Sequence, residues 1–224
     1  MKGLLLNNFL NIKPYLPTLI VLSLLLFGVN FLLFFGNFGS LYEYVYMPIT
    51  ILLFLIYPLV TIVCYERNSS VDWSKLELTM PVSKATIVSS KYFSYVASMV
   101  ISCFWVLLFT FINNAIGGVG IQSELISLKL VFLGLMLGAG ALFYPIITLM
   151  GIEKLETAIT LILVTSVIPL RVAMEIGSHI LQLNRIFDIY RYPEFSVSYV
   201  LLMVVLLCLS YITTIKIYNK KEFI

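Results

Sequence analysis

Few side chains in this sequence are placed to do chemistry. The three cysteines, Cys64, Cys103 and Cys208, lie in or beside apolar runs and show no CxxC spacing. They read as small buried hydrophobes, not as a disulfide framework or a metal site. The lone histidine, His179, has no Cys or His neighbour and reads as a surface residue. HExxH and GxSxG are missing, and no carboxylate pair sits deep inside an apolar run, where a proton relay tends to require one. The phosphate-binding pattern GxxxxGK[ST] is missing too. Gly117, Gly118 and Gly120 make a Gly-rich turn, but no Lys-Ser or Lys-Thr follows it. No catalytic residue, no metal and no directly bound cofactor is therefore expected.

Three groups remain. Arg171 and Glu175 are four apart, so on a helix they share one face. They would form either an external gate or an interface pair in which the arginine snorkels to water beside its glutamate. Gly134 and Gly138, extended by Ala141, make a small-xxx-small face that lets another helix approach closely. That approach would be packing within one subunit or, alternatively, a dimer contact. Trp73, Leu76 and Met80 fall at i, i+3 and i+7, an apolar stripe with Glu77 beside it, and Pro81 stops the helix. A Trp on a short exposed helix fits a groove on a partner protein or, equally, an anchor at the membrane interface.

The elements that must position these groups follow from composition. Of 224 residues, 61% are hydrophobic and 11% charged. A soluble fold of this length has too little interior to hide that much apolar surface, and lipid removes the difficulty. The net charge of +3 gives no support to a nucleic-acid partner. A span needs about 20 apolar residues. Six segments qualify, at about 16–35, 47–65, 93–114, 128–150, 157–174 and 197–218. No cleavable signal peptide is expected, because polar residues and Pro14 interrupt the first apolar run. The fold class is an all-α membrane protein with six transmembrane helices in a single transmembrane domain.

With both termini inside, the inner set of basic residues is Lys2, Lys13, Arg67, Lys75, Lys84, Lys91, Lys154, Lys216, Lys220 and Lys221. The outer set is only Lys129, Arg171, Arg185 and Arg191. The positive-inside rule thus places both termini in the cytoplasm. Residues 1–13 carry Leu4, Leu5, Leu6, Phe9 and Leu10 beside Lys2 and three asparagines. They form either an amphipathic elbow helix on the inner leaflet or an extension of the first span. Ile176–Tyr192 is too short and polar to span and reads as interfacial or re-entrant. Residues 66–92 form the longest inner loop. Within it, Ser83 can cap a helix carrying Ile87 and Val88 into the third span.

The run ERNSSVDWSKLELTMPVSKATIVSSKY, from Glu66 to Tyr92, resembles the first cytoplasmic loop of ABC-2-type permeases. Their pattern is an acidic-polar stretch, a Leu-Pro-Val-Ser step, then Ile-Val and Lys-Tyr leading into the third span. Pro81, Val82, Ser83, Ile87, Val88, Lys91 and Tyr92 match it, and Met80 replaces the usual Leu. Among members, small six-span chains resemble the permeases of phenol-soluble-modulin and peptide-antibiotic exporters. The resemblance implies a homodimer of permeases in a bacterial cytoplasmic membrane, with two copies of a separate ABC ATPase that holds ATP and Mg. It makes Trp73, Leu76, Glu77, Met80 and Pro81 the coupling helix, and amphipathic or lipid-like peptides the exported substrate. The rival readings are an ion-coupled carrier, to which Tyr57-Pro58 and Tyr144-Pro145 would contribute kinks, and an intramembrane enzyme or scaffold.

Overall fold

The computed structural model describes residues 2–36, 39–68, 82–117, 123–150, 155–180 and 192–220. Helices account for nearly all of them: α1 (Lys2–Ile12), a 3-10 turn (Lys13–Tyr15), α2 (Leu16–Phe35), α3 (Gly39–Asn68), α4 (Lys84–Gly117), α5 (Ser123–Met150), α6 (Leu155–Ile180) and α7 (Pro193–Lys220). No strand occurs among the described residues. Six helical stretches are long and apolar enough to cross a membrane: Gly3–Phe35, Val45–Ile62, Lys84–Ile116, Leu125–Met150, Ile159–Ile180 and Pro193–Lys220. Broad apolar faces lie exposed on them, such as Leu24, Leu25 and Leu32 on α2 and Val100, Phe104 and Leu107 on α4. Such faces are stable against hydrocarbon and costly against water. The chain is an all-α membrane protein.

The helices outrun the apolar segments. A backbone that leaves hydrocarbon still needs partners for its N–H and C=O groups, and continuing the helix supplies them. At the N-terminus, Pro14 tightens the chain into the 3-10 turn. Ile12 (φ −80°, ψ −31°) and Leu16 (φ −54°, ψ −47°) on either side keep right-handed helical angles. At the other extreme, α6 runs on through Ile180, so the first turn of Ile176–Tyr192 and His179 belong to a helix. Residues 181–191 lie outside the described residues.

The described chain falls into two units, and the division passes through the unbroken helix α4 between Tyr92 and Phe93. The first unit holds α1, α2, α3 and the rest of α4. Its centre is Phe109, fully buried, whose ring lies 5.1 Å from Phe27 and 5.3 Å from Tyr46 in a stacked pair. Aromatic pairs at these separations add to plain burial. Buried polar pairs tie the helices. The Ser23 hydroxyl donates to the Leu19 carbonyl, so Tyr57 donates to Ser23 across 3.2 Å. The Asn8 side chain donates to Ser94 Oγ at 3.1 Å, and Cys64 Sγ donates to the Asn11 carbonyl at 3.5 Å. These contacts dock one face of α1, with Leu4 buried, while Leu6, Phe9 and Leu10 stay exposed.

The second unit holds the start of α4 with α5, α6 and α7. Here α5 packs most extensively against α7. The two run parallel, since Gly134 meets Tyr199 and Met203, Gly138 meets Met203, and Ala141 meets Ser210. A Cβ on Gly134 would stand 2.7 Å from the Tyr199 ring, whereas one on Gly138 would stand 3.0 Å from the flexible Met203 Sδ. The backbone of α5 therefore comes close to α7 at Gly134, and the missing side chain is what allows it.

Candidate coupling site at the foot of the third spanning helix

The loop motif ends inside α4, and its last residues are built into the second unit. Ser83 starts the helix: its Oγ accepts from the Thr86 backbone N–H at 3.3 Å, and its carbonyl accepts from the same N–H at 2.9 Å. A hydroxyl at this point satisfies one of the donors that a helix start leaves open. The hydroxyls of Ser83 and Thr86 are also 2.7 Å apart. One turn on, Ile87 and Val88 are buried.

Tyr92, roughly 12 Å along the axis from Lys84, is the hub. It is 6% exposed. Its phenol oxygen lies 2.6 Å from Ser210 Oγ and 2.8 Å from Thr214 Oγ1, both on α7. Ser210 in turn donates to the Ala141 carbonyl on α5. Ser210 gives its hydrogen to Ala141, and Thr214 gives its own to the Ser210 carbonyl at 2.8 Å, so the single Tyr92 hydrogen is shared between the oxygens of Ser210 and Thr214. The chain thus joins α4, α7 and α5 through buried hydroxyls, where hydrogen bonds are electrostatically stronger than in water. Tyr144 on α5 closes the cluster. Its hydroxyl donates to the Lys91 carbonyl at 3.1 Å, and its ring lies 4.4 Å from the Tyr92 ring. Tyr211 meets Tyr92 edge-on at 5.4 Å.

Of the residues singled out in the sequence, Lys91 and Tyr92 are thus joined to α5 and α7. Trp73, Leu76, Glu77, Met80 and Pro81 lie outside the described residues. Arg171 and Glu175 form an ion pair at 3.5 Å on α6, and His179 Nε2 is 3.9 Å from the other Glu175 oxygen. About half of the Arg171 and Glu175 side chains is exposed, and most of His179. Pairs of this kind contribute little to stability. Gly134 and Gly138 face α7 within the second unit, away from the hydroxyl chain by one to two turns.

Sequence reasoning passed over Tyr144, Ser210 and Thr214 as partners of Tyr92. A signal was present: Ser210 and Thr214 stand at i and i+4 in an otherwise apolar run, which puts two hydroxyls on one face of a span. It also passed over Asn30 and Asn113, two amides inside spans that are buried and hydrogen-bonded to each other.

A family model described as ABC-2 family transporter protein matches residues 3–219. No curated protein and no solved structure matches the chain.

Proposed function

The chain belongs to the ABC-2 family of transporter proteins, and from that premise we propose that it is the permease of an exporter that moves amphipathic peptides or lipid-like peptide antibiotics outward across a bacterial cytoplasmic membrane. Membership makes it a multi-pass membrane component that works with an ABC ATPase subunit and is not itself catalytic. In this reading two copies of the chain form a homodimer over two ATPase copies, and both termini are cytoplasmic. The helix of Trp73, Leu76, Glu77, Met80 and Pro81 seats in a cleft of the ATPase. ATP and Mg are held there. Closure of the ATPase dimer then pulls on residues 66–92.

The observation that carries the coupling part is the Tyr92 cluster. A pull on the loop acts on α4, and Tyr92 hands it to α7 and α5 through the hydroxyls of Ser210 and Thr214 and the carbonyl of Ala141. A loop that ended in a plain apolar contact would have no such directional link. The amphipathic substrate class is supported by spans nearly free of charge and by the resemblance of small six-span ABC-2 chains to peptide-exporter permeases. In inverted vesicles containing permease and ATPase, ATP should drive uptake of an amphipathic helical peptide. Uptake of small hydrophilic solutes in its place would overturn the substrate class.

A further inference from the structure

Helix α5 runs unbroken through Pro145. A proline has no backbone N–H, so the carbonyl four residues back, that of Ala141, loses the donor that an α-helix supplies. Inside hydrocarbon such a carbonyl is costly unless another donor reaches it, and a hydroxyl on a neighbouring helix is one usual remedy. The Ala141 carbonyl is the one to which Ser210 of α7 donates. The Ser210 hydrogen thus serves where the N–H of residue 145 would. The bond between α5 and α7 is tied to a gap in the backbone ladder of α5.

The surroundings of the gap bear on its use. Tyr144, just before the proline, is buried and donates its hydroxyl to the Lys91 carbonyl of α4 at 3.1 Å. Its own carbonyl accepts from the Thr148 hydroxyl at 2.6 Å, one turn on. Back-bonding of this kind loosens and bends helices. Proline itself is a leading cause of kinks, because its ring presses on the carbonyl it fails to serve. The stretch 141–148 therefore combines a weakened ladder with bonds to both α4 and α7.

We propose that Pro145 is the positioning residue of the Tyr92 link. By withholding an N–H it reserves the Ala141 carbonyl for Ser210, and it gives α5 a bend point where that link arrives. Because Ser210 gives its hydrogen to Ala141, its oxygen is left to accept from Tyr92. With an N–H at position 145 the carbonyl would be served within α5, and Ser210 could turn its hydrogen elsewhere. The reserved carbonyl is a property of the permease alone, whereas the bend point rests on the coupling reading.

The full chain in nanodiscs is labelled with NMR-active carbon at alanine carbonyls and NMR-active nitrogen at leucine amides. Ala141-Leu142 is the only Ala-Leu step in the sequence, so one resonance reports the Ala141 carbonyl. Ser210→Ala should move that resonance in the direction of a lost hydrogen bond. In a Pro145→Ala background the same change should leave it nearly in place. Melting temperatures should follow. Ser210→Ala should lower the melting temperature by a few degrees in the unaltered chain and by roughly half as much beside Pro145→Ala, where only the contact with Tyr92 remains to be lost. Thr214→Ala, which touches the same phenol but not Ala141, should cost the same in both backgrounds. A resonance that stays in place in Ser210→Ala overturns the proposal, and that arm needs no proline variant. Equal losses for Ser210→Ala in both backgrounds overturn it too. With the ATPase present, Pro145→Ala should lower the peptide moved per ATP hydrolysed at unchanged assembly, and an unchanged ratio overturns the bend point. If the unaltered chain moves no peptide with the ATPase, the coupling reading falls and the carbonyl test still decides the rest.

Discussion

Tyr92 is a residue whose hydroxyl matters more than its ring volume. Removing that hydroxyl takes away the link between α4 and α7, while Ser210 and Thr214 keep their bonds to the carbonyls of Ala141 and Ser210. A lost hydrogen bond of this kind costs about 1 kcal/mol net. Tyr92→Phe is therefore expected to lower the melting temperature of the purified permease by several degrees while leaving insertion intact. In the presence of the ATPase it should lower transport per ATP hydrolysed, measured side by side in one vesicle preparation. An unchanged ratio with an unchanged melting temperature would show that the cluster neither stabilises nor couples. The loop motif in the sequence led to Tyr92. Its partners were not legible, because a lone Ser or Thr in an apolar run satisfies itself on its own helix, as Thr50 does on Tyr46. Only packing distinguishes Ser210 and Thr214, which also reach across. The same holds for Asn30 and Asn113, whose meeting depends on α2 and α4 running side by side.

At the scale of elements, helix type and number follow from hydropathy because lipid admits so few backbone solutions. Helix length does not follow, since the ends are set by capping and packing beyond the hydrocarbon. Ser83 caps α4, which begins at Lys84, nine residues before the apolar segment at 93, and α6 carries His179 in its last turn. Pro14 separates α1 from α2 by a 3-10 turn and not by a loop, because its own fixed φ is helical and it stands in the first turn of that element, with Ile12 and Leu16 on either side in helical angles. The element on which the coupling proposal turns is the helix proposed for Trp73 to Pro81. An aromatic anchor in a partner's groove typically accounts for about 2 kcal/mol or more when truncated. Trp73→Ala with Leu76→Ala should weaken ATPase association by roughly thirtyfold or more. Insertion should be spared, since no span is touched. Normal assembly and normal substrate-stimulated hydrolysis in the double mutant would remove the coupling assignment from these residues.

Over the whole sequence, the basic residues sort by the proposed topology. Ten of its 14 basic residues fall on the side assigned to the cytoplasm, including Lys216, Lys220 and Lys221 near the C-terminus. With Cys64, Cys103 and Cys208 replaced by alanine, Lys220→Cys should resist an impermeant thiol reagent in intact cells and react after the membrane is opened. Reaction in intact cells would invert the topology and put the loop of residues 66–92 on the wrong side for ATP. The central claim is that this chain transports only in company. Its family works with an ABC ATPase subunit, and in the proposed reading the energy enters there. The most direct measurement is ATP hydrolysis by the purified permease, by the ATPase, and by their reconstituted mixture, with export followed in the same vesicles. The account predicts no hydrolysis by the permease alone, stable co-purification, and ATP-dependent export only in the mixture. Export by the permease alone, driven by an ion gradient and indifferent to ATP and to the ATPase, would contradict it.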